Sequence, residues 1–164
     1  MKVLIHDLSE EQFQRMKIGN DTTAINADGA YASCLGCFKC WLKNSGYCDM
    51  KDSLRHISSV LGRCDELVLI SKLTYGGYST PIKRILDRSI SISLPLFTYR
   101  GGAMHHIKRY RHEQNLRVCF YGAGSDSEKI IAKEFTQSNG VNWGMKETRL
   151  DFFSDVFSLT EYPI

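Results

Sequence analysis

The sequence predicts an α/β protein in which a parallel β-sheet is covered by helices on both faces, a three-layer, doubly wound arrangement. Three observations predict it. Short β-forming runs alternate with stretches of helical periodicity along the chain. One aliphatic run, Glu66-Leu67-Val68-Leu69-Ile70-Ser71, lacks polar alternation, as expected of a strand buried on both faces. The spacing between runs demands parallel pairing through right-handed crossovers.

The elements follow in order. Lys2 to His6 is a short buried strand. Behind it, Asp7 with Glu10, or Ser9 with Gln12, has the spacing of a capping box and starts a short helix. Thr22 to Ala27 forms a second strand, closed by the turn signal Asp28-Gly29. Asp52 caps a helix that carries Leu54, Ile57 and Leu61 at helical spacing and stops at Gly62. After the central strand at 66–71, Pro81 suits the first turn of a helix with Ile82, Ile85, Leu86 and Ile90 on one face. Leu116 to Tyr121 is the fourth strand, Ser127 to Gln137 a helix and Glu147 to Phe152 the fifth strand.

The 164 residues fit a single domain, 1–164, with a cysteine-rich loop at 28–51, a basic irregular insertion at 91–114 and an apolar C-terminal tail at 152–164. The tail is too apolar to hang free and is expected to dock on its own domain or on a second subunit, which makes a homodimer the expected assembly. The apolar run at Met1–Ile5 is too short for a signal peptide, and no stretch is long enough to cross a membrane. Six cysteines without an export signal read as thiols or metal ligands rather than a disulfide framework, and a cytoplasmic location is expected. The formal charge is only +3, but Arg100, Lys108, Arg109, Arg111 and Arg117 face one acid, Glu113, within the segment 100–117. A solvated charged face is the commoner meaning of such a run; a phosphate or nucleotide is the functional one, and nucleic acid a minor option.

In an open parallel sheet the ligand lies beyond the carboxyl ends of the strands, where strand order reverses. After the third strand come Thr74, Tyr75, Gly76, Gly77 and Tyr78. Two glycines let the backbone approach a flat ligand and two tyrosines can stack on it, although a plain glycine turn with surface tyrosines has the same composition. After the fourth strand, Gly122, Ala123 and Gly124 lead through Ser125 into a helix, offering N–H groups to an anion or a carbonyl, or simply a cap. After the first strand, where a mononucleotide fold places Ser, Thr and Gly around a phosphate, this chain has Asp7, Glu10 and Glu11, which repel one.

Cys34, Cys37, Cys40 and Cys48 follow a C-x2-C-x2-C-x7-C pattern in one loop. Such spacing can ligate a 4Fe–4S cluster, and zinc is possible by count; the structural reading is small apolar or redox-active thiols packing a loop. Cys64 and Cys119 read as core residues.

Taken together, Cys34-x2-Cys37-x2-Cys40-Trp41, Gly46-x-Cys48, Thr74-Tyr75-Gly76-Gly77-Tyr78-Ser79, Lys83, Asp87-Arg88-Ser89 and Met104-His105-His106-x2-Arg109-Tyr110 resemble the flavodoxin family, and within it the NAD(P)H-dependent FMN reductase and iron–sulfur flavoprotein branch. The resemblance spans roughly residues 1 to 125. It implies a five-stranded flavodoxin-like sheet of order 2-1-3-4-5, FMN at the carboxyl edge, and homodimers or tetramers. It also implies contact of Thr74, Tyr75, Gly76 and Gly77 with the isoalloxazine, with Gly122, Ala123 and Gly124 as the second flanking loop. Two departures stand out: Ser71-Lys72-Leu73-Thr74 replaces the usual Ser-Pro-Val-Tyr, and the Ser/Thr phosphate loop is absent. The expected activity is FMN-dependent transfer of hydride or electrons from NAD(P)H to a small-molecule or carrier acceptor, with no side-chain acid or base required. The alternative is a degenerate flavodoxin fold without flavin, acting as a binding or regulatory module or carrying a metal centre in the cysteine loop. His105 and His106 are read as packing or hydrogen-bonding residues, and Asp87-Arg88 as a local ion pair.

Overall fold

A computed structural model describes residues 1–29, 31–162 and 164. Along the chain run β1 (Lys2–His6), α1 (Glu10–Gln14), β2 (Thr22–Asn26), α2 (Lys39–Leu42), α3 (Ile57–Gly62), β3 (Glu66–Lys72), α4 (Thr80–Arg88), β4 (Ser93–Arg100), β5 (Ala103–Lys108), β6 (Asn115–Tyr121), α5 (Asp126–Trp143), β7 (Glu147–Phe153) and α6 (Val156–Thr160). Short 3-10 turns at Ser53–His56 and Ile90–Ile92 precede α3 and β4.

Five strands pair in parallel in the order β2-β1-β3-β6-β7. Counted along this sheet alone, the order is 2-1-3-4-5, as the resemblance implies. Register places Ile5 beside Leu69 and Leu69 beside Val118 at the centre. Because side chains alternate across a strand, the aliphatic runs feed two separate cores. Val3, Ile5, Leu67, Leu69, Val118 and Phe120 pack with Leu61, Ile82, Ile85 and Ala132 from α3, α4 and α5. Leu4, Val68, Ile70 and Cys119 pack with Leu8, Met16, Leu159 and Ile164. At roughly 1.5–3 kcal/mol for each fully buried aliphatic side chain, these alternating positions dominate the drive to fold.

The segment read as irregular at 91–114 contains an antiparallel hairpin, β4 with β5. Its strands pair only with each other and neither carries a buried residue, so no period-2 burial signal marks them. Its basic side chains also have a structural use. Arg100 donates through Nη1 to the carbonyls of Val141 and Asn142, both at 2.9 Å, and Lys108 donates to the Gly144 carbonyl at 3.3 Å. Two cations thus serve the carbonyl end of α5, where the helix dipole favours positive charge. α5 runs six residues past the expected end at Gln137. The tail docks on its own chain: Leu159 is fully buried, and the Arg117 guanidinium lies 4.6 Å from the Tyr162 ring.

Arg88 ties the cysteine-rich loop to α4. Its side chain is fully buried, with Nη1 and Nη2 each 2.7 Å from the Asp52 carboxylate, Nη1 also 2.8 Å from the Ala32 carbonyl, and Nε 3.2 Å from Cys48 Sγ. The guanidinium holds the Asp52 carboxyl below the usual carboxylate range. The expected Asp87–Arg88 pair is therefore not the one formed. Asp87 instead takes Lys83 one helical turn earlier, at 2.7 Å.

Candidate functional site

Three loops meet at the carboxyl edge of the sheet, after β1, β3 and β6. The chain leaves β3 into a tight turn in which Thr74 and Gly77 exchange backbone hydrogen bonds, both at 3.0 Å. The two central residues, Tyr75 and Gly76, both have positive φ, 50° and 76°, the signature of a type I′ turn. Left-handed backbone at a tyrosine is disfavoured by about 1–3 kcal/mol and persists only where the surroundings enforce it. Here the enforcing contact is α5: a Cβ on Gly76 would lie 2.7 Å from Ile131 Cγ2, so only glycine allows the turn to seat against that helix. The turn holds the Tyr75 side chain 91% exposed above the edge.

The loop after β6 lies against this turn. A Cβ on Gly124 would meet Leu73 Cδ2 at 2.3 Å, and Gly122 has φ 104°. Lys72 is exposed between them, with Cγ 3.8 Å from where a Gly122 Cβ would be. Ser125 and Glu128 form a capping box at the start of α5, so that helix end is satisfied by its own carboxylate.

Tyr78 does not join this surface. It is buried against Phe120 and Phe135, with ring centroids 5.6 and 5.1 Å away. Of the two tyrosines read as stacking partners, Tyr75 faces outward and Tyr78 is a core residue.

The loop after β1 is closed by its own chemistry. The Asp7 carboxylate accepts from the Lys72 N–H, at 3.0 Å to the nearer oxygen, and from the Tyr121 hydroxyl at 3.0 Å. Burial, and then the Asp7 charge, push the Tyr121 phenol well up. Ser9 and Gln12 form the capping box of α1, so Ser9 Oγ takes the Gln12 N–H and Gln12 Oε1 takes the Ser9 N–H. Glu10 and Glu11 are exposed in that first turn. Below them, His6 is 1% exposed and stacks on Phe13 at 4.1 Å, and burial lowers its pKa to about 4. It is therefore a neutral imidazole at neutral pH.

These contacts give a split fit for a flavin mononucleotide. A flat ring finds a glycine turn, an exposed tyrosine face and a cation at the edge. A phosphate in the loop after β1 finds carboxylates, with the Asp7 oxygens and the Ser9 N–H already engaged.

A cavity of about 600 Å³ lies beside this edge rather than on it. It opens between the cysteine loop, α4, the hairpin and α5, and is lined by Trp41, Lys83, Tyr110, Asn139 and Trp143, with Tyr78 as its link to the β3 loop. Its size is within the range of small-molecule pockets, but the residues that suit a ring are on the edge.

Cys34 and Cys37 are exposed, Cys48 is half-buried and Cys40 is buried, with its thiol pKa raised by desolvation. Among the described residues, no group of three or more His, Cys, Asp or Glu side chains could hold a metal ion. The 4Fe–4S reading of Cys34, Cys37, Cys40 and Cys48 gains no support from this arrangement: Cys48 is engaged by the Arg88 guanidinium, and the four thiols differ widely in exposure. His105 and His106 are packing residues. His105 Nδ1 is 3.2 Å from Asn142 Oδ1, and His106 stacks on Phe97 at 4.6 Å and lies tilted against Trp41 at 5.0 Å.

No family model matches the chain. An iron–sulfur flavoprotein from Methanocaldococcus jannaschii is 33% identical over 89 residues, which cover 52% of this chain and 45% of that protein; the chain thus matches less than half of its relative's length. Among solved structures, the NAD(P)H:quinone oxidoreductase of Methanothermobacter marburgensis superposes with a TM-score of 0.59 at 15% identity, covering 93% of this chain and 85% of that one. The FMN-dependent NADH-azoreductase of Bacillus anthracis superposes with a TM-score of 0.56 at 12% identity, covering 98% and 93%. At such identities the superpositions show the fold, which is flavodoxin-like, and the resemblance to the FMN reductase and iron–sulfur flavoprotein branch is borne out. The flavin-free alternative gains no support from them.

Proposed function

We propose that the chain is a flavin-dependent oxidoreductase that takes hydride from NAD(P)H and passes electrons to a small-molecule or carrier acceptor. One observation carries the reading: a strained type I′ turn at the carboxyl edge presents an exposed tyrosine over a glycine floor, in the part of the fold where sheets of this topology bind ligands. The flavin-binding relatives support it.

In this reading Thr74, Tyr75, Gly76 and Gly77 hold one side of the ring and Gly122, Ala123 and Gly124 the other. The bound flavin supplies hydride acceptance and onward electron transfer. The protein's own residues bind and orient. Tyr75 stacks on the ring face, the glycines keep side chains out of the slot, and the Lys72 ammonium favours negative charge at the ring edge. No side chain on the edge is required to move a proton. The two cores on either side of the sheet are taken as the covered faces of a doubly wound, three-layer domain.

The reading extends to a homodimer in the cytoplasm. No described helix is long and apolar enough to cross a membrane. Leu96, Phe97, Tyr99 and Met104 stand more than half exposed on the hairpin, a patch of the kind that self-associates. A monomer by light scattering at micromolar concentration removes the dimer.

The test of function is spectroscopic. Protein is titrated with riboflavin and with FMN, flavin fluorescence is followed, and NADH or NADPH is then added without air. Saturable quenching followed by bleaching of the flavin's visible absorption supports the proposal; protein that takes up neither flavin sinks it.

A further inference from the structure

The flavin reading leaves one mismatch, and the mismatch has chemical content. The ring half of the edge suits a flavin, while the loop that should hold the 5′-phosphate is built from acceptors. Asp7 is the first residue after β1 and cannot swing away, because its carboxylate bridges the Lys72 N–H of β3 and the Tyr121 hydroxyl of β6, all at 3.0–3.3 Å. Glu10 and Glu11 occupy the next turn, and both partners of the Ser9–Gln12 capping box are engaged by each other. Nearby positive charge is limited. Arg15 is already paired with Glu11, and Lys72 is a single exposed ammonium at the ring side.

Resting on the flavin reading, we propose that this edge selects a flavin without a 5′-phosphate, riboflavin in preference to FMN, with Asp7, Glu10 and Glu11 as the specificity-determining residues. A phosphomonoester carries close to two negative charges at neutral pH and only acceptor oxygens. Placed by these three side chains it meets like charge, offset only by Arg15, which Glu11 already holds. A ribityl chain that ends in a hydroxyl is uncharged and carries only O–H groups, each of which can donate to a carboxylate. The same acids that reject one flavin are acceptors for the other.

The experiment compares dissociation constants for riboflavin and FMN by quenching of flavin fluorescence, in the full chain, at low and at high salt. Riboflavin is expected to bind at least about tenfold more tightly at low salt. The gap should shrink in high salt, because Glu10 and Glu11 are exposed and screened. Asp7→Asn keeps the side-chain shape and removes the charge, and it is expected to bring the two constants together. Since Asp7 also joins two strands, Glu10→Gln with Glu11→Gln gives a second variant on the surface of α1, expected to close part of the gap with no change in unfolding midpoint. FMN binding as tightly as riboflavin, or more tightly, in the unaltered chain overturns this inference and leaves the flavin reading standing. A preference that neither salt nor the variants alter overturns the assignment to these acids. Uptake of neither flavin overturns both.

Discussion

The loops after β1 and after β3 lie at the same edge of one sheet and solve opposite problems. The β3 loop is glycine-rich, strained and open: Tyr75 is held in left-handed backbone with its ring in solvent, and its turn is fixed from behind by Ile131. The β1 loop is acidic, relaxed and closed: Ser9 caps its helix from an ordinary extended conformation, and Asp7 is bound by two donors. Strained backbone of this kind clusters at functional sites. Satisfied hydrogen bonds mark a surface already complete. On the proposed flavin reading, the difference teaches that the ring side of the edge is kept open while the loop after β1 serves as scaffold.

Four changes would break or sharpen that contrast. Gly76→Val should be the most damaging, since it adds left-handed strain at a β-branched residue to a clash with Ile131. A loss of about 4 kcal/mol in urea unfolding is expected, with loss of flavin quenching. A change below 1 kcal/mol would show that the turn is not fixed from behind.

Next is acid. His6 has a folded-state pKa of about 4 against 6.5 when unfolded, so between those values the unfolded chain binds the extra proton and stability rises with pH. Stability from this group is fully present above about pH 6.5 and is lost as pH falls toward 4, by up to about 3 kcal/mol. Unfolding curves across that window should show the slope, and His6→Gln should flatten it.

Asp7→Ala comes third. It leaves the Tyr121 hydroxyl and the Lys72 N–H without their acceptor and should lower stability by about 2 kcal/mol; an unchanged urea midpoint would mean that the β1 loop is not held by this bridge. The smallest stability effect belongs to Tyr75→Ala, which alters an exposed side chain and should stay within about 0.5 kcal/mol. The same variant should weaken flavin binding about tenfold through lost stacking. Equal flavin affinity in Tyr75→Ala and the parent would remove Tyr75 from the site.

Much of this fold was legible in the chain itself. The strands expected at 2–6 and 66–71 were visible because residues buried on both faces leave an uninterrupted aliphatic signal, those at 116–121 and 147–152 as short β-forming runs, and helix starts were visible because Ser9, Asp52 and Ser125 precede suitable periodicity. The tight turn after β3 was visible through its paired glycines. Polarity alone also showed that the β1 loop is acidic.

What the chain alone could not decide depended on distant partners. The hairpin β4–β5 was hidden because two strands that pair only with each other need no apolar alternation. Arg88 could be assigned to Asp52, 36 positions away, only once the loop had been folded onto α4. Tyr75 and Tyr78 look alike in sequence, yet packing against Phe120 buries one and the turn beside Ile131 exposes the other. Local composition determines which backbone states are cheap, and long-range packing decides which side chains remain free to meet a ligand.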